Sequence, residues 1–138
     1  MNGPSASTAY KLRFVVQEQK AKTHHFDLRL EKDGVFKSWA VPKGLPVLVG
    51  QKRLAVQVED HSLEWGDFEG VIPAGQRGAG TVCILDRGWY DLEEWLPDRI
   101  SFNLHGERFR GRYQLVLFKQ AARNHWLILK RRDQAPRA

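Results

Sequence analysis

Apolar and polar residues alternate along most of this chain. From His25 to Glu31, the apolar Phe26, Leu28 and Leu30 are separated by His25, Asp27, Arg29 and Glu31. A period of two is the mark of a β-strand with one face against a core. The same reading makes strands of Leu12–Gln17, Val35–Val41, Arg53–Glu59, Thr81–Asp86, Ile100–His105, Arg112–Lys119 and His125–Arg131. Ile100, Phe102 and Leu104 point inward, and Leu54, Val56 and Val58 alternate against Arg53, Ala55, Gln57 and Glu59. Asp33-Gly34 between two runs signals a hairpin, because both residue types accept the positive φ of a type I′ turn. Only Leu92–Leu96 has the look of a short helical turn. Many short strands separated by turn residues predict a mainly β domain, an antiparallel barrel or a sandwich. Residues 1–10 read as a flexible arm, 11–133 as one domain and 134–138 as a tail. Gly-rich Pro73–Gly80 lacks the strand–helix setting of a phosphate loop and reads as a turn.

Composition narrows the partners. The chain has 138 residues, with 22 Lys plus Arg against 16 Asp plus Glu, a net charge of +6. A basic balance favours a polyanion, nucleic acid above all. The lone Cys83 excludes a disulfide framework and a cysteine zinc site; inside Val82–Leu85 it is expected to be a small buried hydrophobe. No segment approaches the ~18 apolar residues of a membrane helix, and the N-terminus lacks the apolar core of a secretory signal. A soluble, intracellular protein without a membrane partner is expected.

The polar face of His25–Glu31 carries an imidazole, a carboxylate and a guanidinium in one row, roughly 6–7 Å apart. His25 and Asp27 suit a divalent cation, and Arg29 suits a phosphate oxygen. The alternative is a solvated face with an Asp/Arg pair. Lys43 lies at a strand end or in a loop, and Arg53 opens the next strand. Glu59 and His61, two apart, can share a face, with Asp60 between them and Trp65 and Glu69 close behind. Singly, most of these are ordinary surface groups; His61 in its acidic setting is the better candidate for chemistry. His24 points to the opposite face from His25. His105 and His125 read as structural, and Trp39, Trp89, Trp95 and Trp126 as core or anchoring residues.

Taken in order, Phe14-Val15-Val16-Gln17, His25-Phe26-Asp27-Leu28-Arg29-Leu30-Glu31, Ser38-Trp39-Ala40-Val41-Pro42-Lys43-Gly44, Lys52-Arg53-Leu54-Ala55-Val56, Glu59-Asp60-His61, Phe68-Glu69-Gly70 and Gly78-Ala79-Gly80 resemble the 3′-phosphoesterase domain of bacterial DNA ligase D and its free-standing bacterial and archaeal versions. The resemblance runs from about Phe14 to Asp133. It implies a single-domain antiparallel β-barrel with short helical turns and an active-site groove on its surface. It implies a manganese-dependent enzyme, other divalent metals being possible, that processes 3′ ends of DNA or RNA/DNA primer-templates in non-homologous end joining. A terminal ribonucleoside is removed as a phosphodiester, and the remaining 3′-phosphate as a monoester. A ligase or polymerase and a Ku-like end-binding protein are the implied partners, in the cytoplasm of a prokaryote at its nucleoid; no apolar element demands an oligomer, so a monomer is expected.

Carried over by residue, His25 and Asp27 match metal ligands, and Arg29 matches a residue needed near the phosphate. Lys43, Arg53 and His61 match the phosphate-side cluster, and Glu59 a supporting carboxylate. Trp65 stands where the family has Tyr; an indole stacks and donates but accepts no hydrogen bond. Gln19 stands where the family has its third metal-binding histidine. An amide oxygen is a poorer manganese ligand, and Glu18 and His24 are the other candidates for that place, His24 being disfavoured by strand geometry. A second expectation follows: a catalytically impaired module that binds nucleic-acid ends.

Overall fold

The structure is a computed structural model, and it describes residues 11–119 and 124–133. The expected arm, 1–10, and tail, 134–138, lie outside the described residues. The strands are β1 (Leu12–Ala21), β2 (His24–Lys32), β3 (Val35–Val41), β4 (Lys52–His61), β5 (Gly70–Ile72), β6 (Gly80–Leu96), β7 (Arg99–His105), β8 (Arg110–Leu117) and β9 (His125–Lys130). They form one antiparallel sheet in the order β1-β2-β3-β4-β9-β8-β7-β6-β5, and β1 also pairs with β6. That last ladder closes an eight-stranded barrel, with β5 appended on β6. Closure removes the free sheet edges that would otherwise template association.

Inward-facing residues fill the barrel: Phe14, Leu28, Trp39, Phe102, Leu115 and Ile128 are fully enclosed. The β2–β3 hairpin turns on Asp33 and Gly34 with φ of 55° and 82°, both in the left-handed region that this turn requires.

Three expectations are corrected. Leu92–Leu96 is strand, not helical turn. The ladder to β7 slips between Leu92 and Glu94; this bulge places Leu92 and Trp95, three apart, both against the core and so mimics helical spacing. Cys83 is exposed; it pairs across with Glu18, on the face opposite the wall, while the buried neighbour is Val82, which pairs with Gln19. In β4 the enclosed residue is Ala55, while Leu54 and Val58 are each 37% exposed. The inward face of this strand is its less apolar one, and Gln57 belongs there as acceptor for Trp126 Nε1 at 3.1 Å.

The one helical element among the described residues is a 3-10 turn, Leu63–Asp67, between β4 and β5. It lies over the outer face of β1–β3. A Cβ on Gly66 would stand 2.5 Å from the Phe36 ring, so only glycine permits this approach.

Candidate active site

The polar row of β2 faces outward but is not solvated: Asp27, Arg29 and Glu31 are 5%, 4% and 2% exposed. The 3-10 turn and Phe68 roof it. Burying a guanidinium is unfavourable unless its donors are satisfied. Arg29 accordingly donates from Nε to Gln17 Oε1 at 2.6 Å and from Nη1 to Ser38 Oγ at 2.8 Å, with a long 3.5 Å contact from Nη2 to Asp27 Oδ2. Gln17 is held in turn: its Nε2 donates to the carbonyls of Trp65 and Phe68 at 3.0 and 3.1 Å. The roof therefore fixes Gln17, and Gln17 fixes Arg29. Neither Gln17 nor Ser38 is among the expected site residues. The available signal was a glutamine ending the apolar run Phe14-Val15-Val16.

His25 stands one step along the row. Its Nδ1 lies 3.0 Å from the Thr23 carbonyl, so Nδ1 carries the proton in the neutral ring. Nε2 is left as the acceptor nitrogen, 3.5 Å from Asp27 Oδ1. The hydrogen bond to Asp27 raises the His25 pKa above its ordinary value, more than burial lowers it. Gln19 is the direct cross-strand partner of His25, so the departing residue is on the same wall. Its amide nitrogen donates to the Gly78 carbonyl at 2.8 Å. Glu18 and His24 occupy the other face and engage each other at 2.8 Å. Among the described residues no three His, Cys, Asp or Glu side chains form a metal-ligand group. The donors that fit a cation here are His25 Nε2, Asp27 Oδ1 and the Gln19 amide oxygen, a mixed N/O set.

A bulge brings in His61. Ser38 pairs with Val58, but Phe36 pairs with His61, a slip of one residue. Strict alternation would put His61 on the inner face; the slip puts it on the outer wall. Its ring stacks on Trp65, with centroids 5.5 Å apart, and Trp65 stacks on Phe68 at 4.8 Å. The Arg29 guanidinium lies 5.9 Å from the Trp65 ring. The Trp65 Nε1 is enclosed and finds no acceptor among the described residues, so this indole acts through its faces. Burial, then the Arg29 charge, lowers the His61 pKa, opposed by the more weakly felt Glu59, Asp27 and Asp60. Asp60 is held by Lys37 Nζ at 2.8 Å. Glu59 is exposed, 3.8 Å from Arg77.

Lys43 and Arg53 lie elsewhere. Arg53 pairs across with the core residue Ile128 and so faces inward at the barrel mouth. Its Nη1 donates to the carbonyls of Lys43 and Gly44. The wall thus gathers Gln19, His25, Asp27, Arg29, His61 and Trp65, while Lys43 and Arg53 form a separate group at the mouth.

Fold and site define a closed β-barrel domain with a His/Asp/Arg cluster roofed on its outer wall. A family model described as the DNA Ligase D 3′-phosphoesterase domain matches residues 17–117, and the chain belongs to that family. Multifunctional non-homologous end joining DNA repair protein LigD of Mycobacterium tuberculosis is 46% identical over 125 residues, 88% of this chain and 16% of that protein. Multifunctional non-homologous end joining protein LigD of Pseudomonas aeruginosa is 43% identical over 141 residues, 98% of this chain and 17% of that protein. The chain spans about a sixth of the length of these relatives.

Proposed function

We propose that this domain is a hydrolase that processes 3′ ends of DNA or RNA/DNA primer-templates in non-homologous end joining. It removes a terminal ribonucleoside by phosphodiester cleavage and then the 3′-phosphate, leaving a hydroxyl. The observation that supports this reading is the buried, triply held guanidinium of Arg29 beside His25, Asp27 and His61. A fixed cation in a dry setting is suited to charge that develops on phosphate oxygens. Arg29 binds and orients a non-bridging oxygen. His61 hydrogen-bonds the phosphate and gives a proton to the leaving oxygen as water adds to phosphorus and the P–O bond breaks. The Arg29 field disfavours protonated His61, and an arriving phosphate anion offsets that field. Glu59 supports His61, Trp65 holds its ring, and Lys43 and Arg53 meet the strand from the mouth. His25, Asp27 and Gln19 would hold manganese or another divalent cation, which supplies Lewis-acid polarisation of a phosphate oxygen. A ligase, a polymerase and a Ku-like protein are the partners of such a step, and the domain acts as a monomer in a prokaryotic cytoplasm.

A second reading, an end-binding module without turnover, is favoured by one observation: Gln19 stands where a third imidazole would complete the ligand set. Cleavage of a labelled primer-template with one 3′ ribonucleotide, in manganese and in chelator, beside Gln19→His, separates the two. Turnover by the parent that chelator removes supports the hydrolase. Turnover by Gln19→His alone supports an impaired site, and binding without turnover by either protein overturns the enzymatic reading.

A further inference from the structure

The barrel mouth carries a depression of about 520 Å³, within the ~300–1,000 Å³ of ligand sites. Phe26, Leu45, Leu85 and Phe109 wall it, with Val47, 58% exposed, at the rim. Lys43, Arg53 and Arg108 ring it. None of these cations has an ion-pair partner among the described residues, and the pocket's one carboxylate, Glu18, is already engaged by His24 at 2.8 Å. Three cations and one carboxylate against an apolar wall are complementary to an apolar body that carries a phosphate.

The wall is also preorganised. Asp86 Oδ2 accepts the backbone N–H groups of Arg108 and Phe109 at 2.9 and 2.8 Å, and a Cβ on Gly106 would collide with that oxygen at 2.3 Å. Arg108 therefore stands on a fixed loop. The mouth and the outer wall share β2, which sends Phe26 to one and His25 and Asp27 to the other.

We propose that the mouth is a nucleotide subsite, with the base on the apolar wall and its phosphate on Arg108 and Lys43. That the occupant is a nucleotide of the processed strand rests on the hydrolase reading above; the chemistry of the pocket does not. Arg108 becomes a binding residue that nothing in the wall requires.

The test is titration of the full chain, in chelator, with adenosine 3′-monophosphate and separately with inorganic phosphate, followed by amide chemical shifts. The nucleotide should move Val47, Leu85 and Phe109, inorganic phosphate should not, and Arg108→Ala should weaken nucleotide binding about tenfold. Val47→Glu, at an exposed rim position, should weaken it as well. Equal shifts with inorganic phosphate, shifts confined to Gln19 and His25, or unchanged affinity in both variants would overturn the subsite. Absent mouth shifts with intact primer cleavage remove the subsite alone. Mouth shifts without cleavage leave the subsite standing and remove the hydrolase.

Discussion

Asp27 and Asp86 are almost equally buried, at 5% and 7% exposure, and their surroundings are opposite. Asp86 is saturated: Oδ1 accepts the amides of Arg87 and Glu107 at 2.9 and 3.1 Å, and Oδ2 those of Arg108 and Phe109 at 2.9 and 2.8 Å. Asp27 has its nearest charged partners, His25 Nε2 and Arg29 Nη2, at 3.5 Å each. A carboxylate closed off by four short hydrogen bonds is committed to holding a loop. One whose contacts are long keeps lone pairs available for something that arrives. Burial alone does not tell these two carboxylates apart; the lengths of their contacts do.

The largest expected effect tests that contrast. Asp86→Ala strands four amides and should lower stability in urea unfolding by about 3–4 kcal/mol, against about 1 kcal/mol for the shape-conserving Asp27→Asn. Equal losses at the two sites would erase the distinction. Next comes Arg29→Lys. An ammonium cannot reproduce the fork to Gln17, Ser38 and Asp27, so kcat on a 3′-phosphorylated primer should fall about 100-fold, some 2.7 kcal/mol. A near-parental rate would remove Arg29 from the chemistry. Gln19→His should raise manganese affinity about 10- to 100-fold by calorimetry, and no gain would show that Asp27's spare lone pairs serve no cation.

The smallest effect is in proton binding. In the metal-free protein, NMR titration should place His25 above the ordinary histidine value of 6.5 and His61 below it. For His25 the folded state favours the protonated ring, so its contribution to stability is complete below 6.5 and lost as pH rises through the higher folded value. For His61 the folded state favours the neutral ring, so stability is lost as pH falls below 6.5 toward the lower folded value. Coincident titration of the two rings would contradict the fields assigned to Asp27 and Arg29.

Period-two alternation was enough to read most of the ladder: Val35–Val41 has the bounds expected of it, and β2 extends its expected run by one residue at each end. What alternation could not show were its own interruptions. The slip at Leu92/Glu94 disguised strand as helical turn, and the slip at Phe36/Ser38 decided which face received His61. Nor could periodicity reveal the roof. Leu63–Asp67 covers a face whose residues, read one at a time, look solvated. Gln17 and Asp86 escaped for a related reason: each acts on backbone or side chains distant in sequence, as in Gln17 to Phe68 across 51 positions. Lys43 and Arg53 were legible as cations, but the inward direction of Arg53 follows from β4 presenting its less apolar face to the core, and Lys43 is tied to it from the loop after β3 through its carbonyl.

β1 is the seam of the barrel, laddered to β2 on one side and to β6 on the other. It also carries Gln17 and Gln19. Releasing Gln17 from Arg29 by backbone motion means breaking both ladders, which amounts to opening the barrel itself. The amides from Val15 to Gln19 should therefore exchange with solvent only through global unfolding. The wall of the site has no private melting transition: it lasts as long as the closed sheet does.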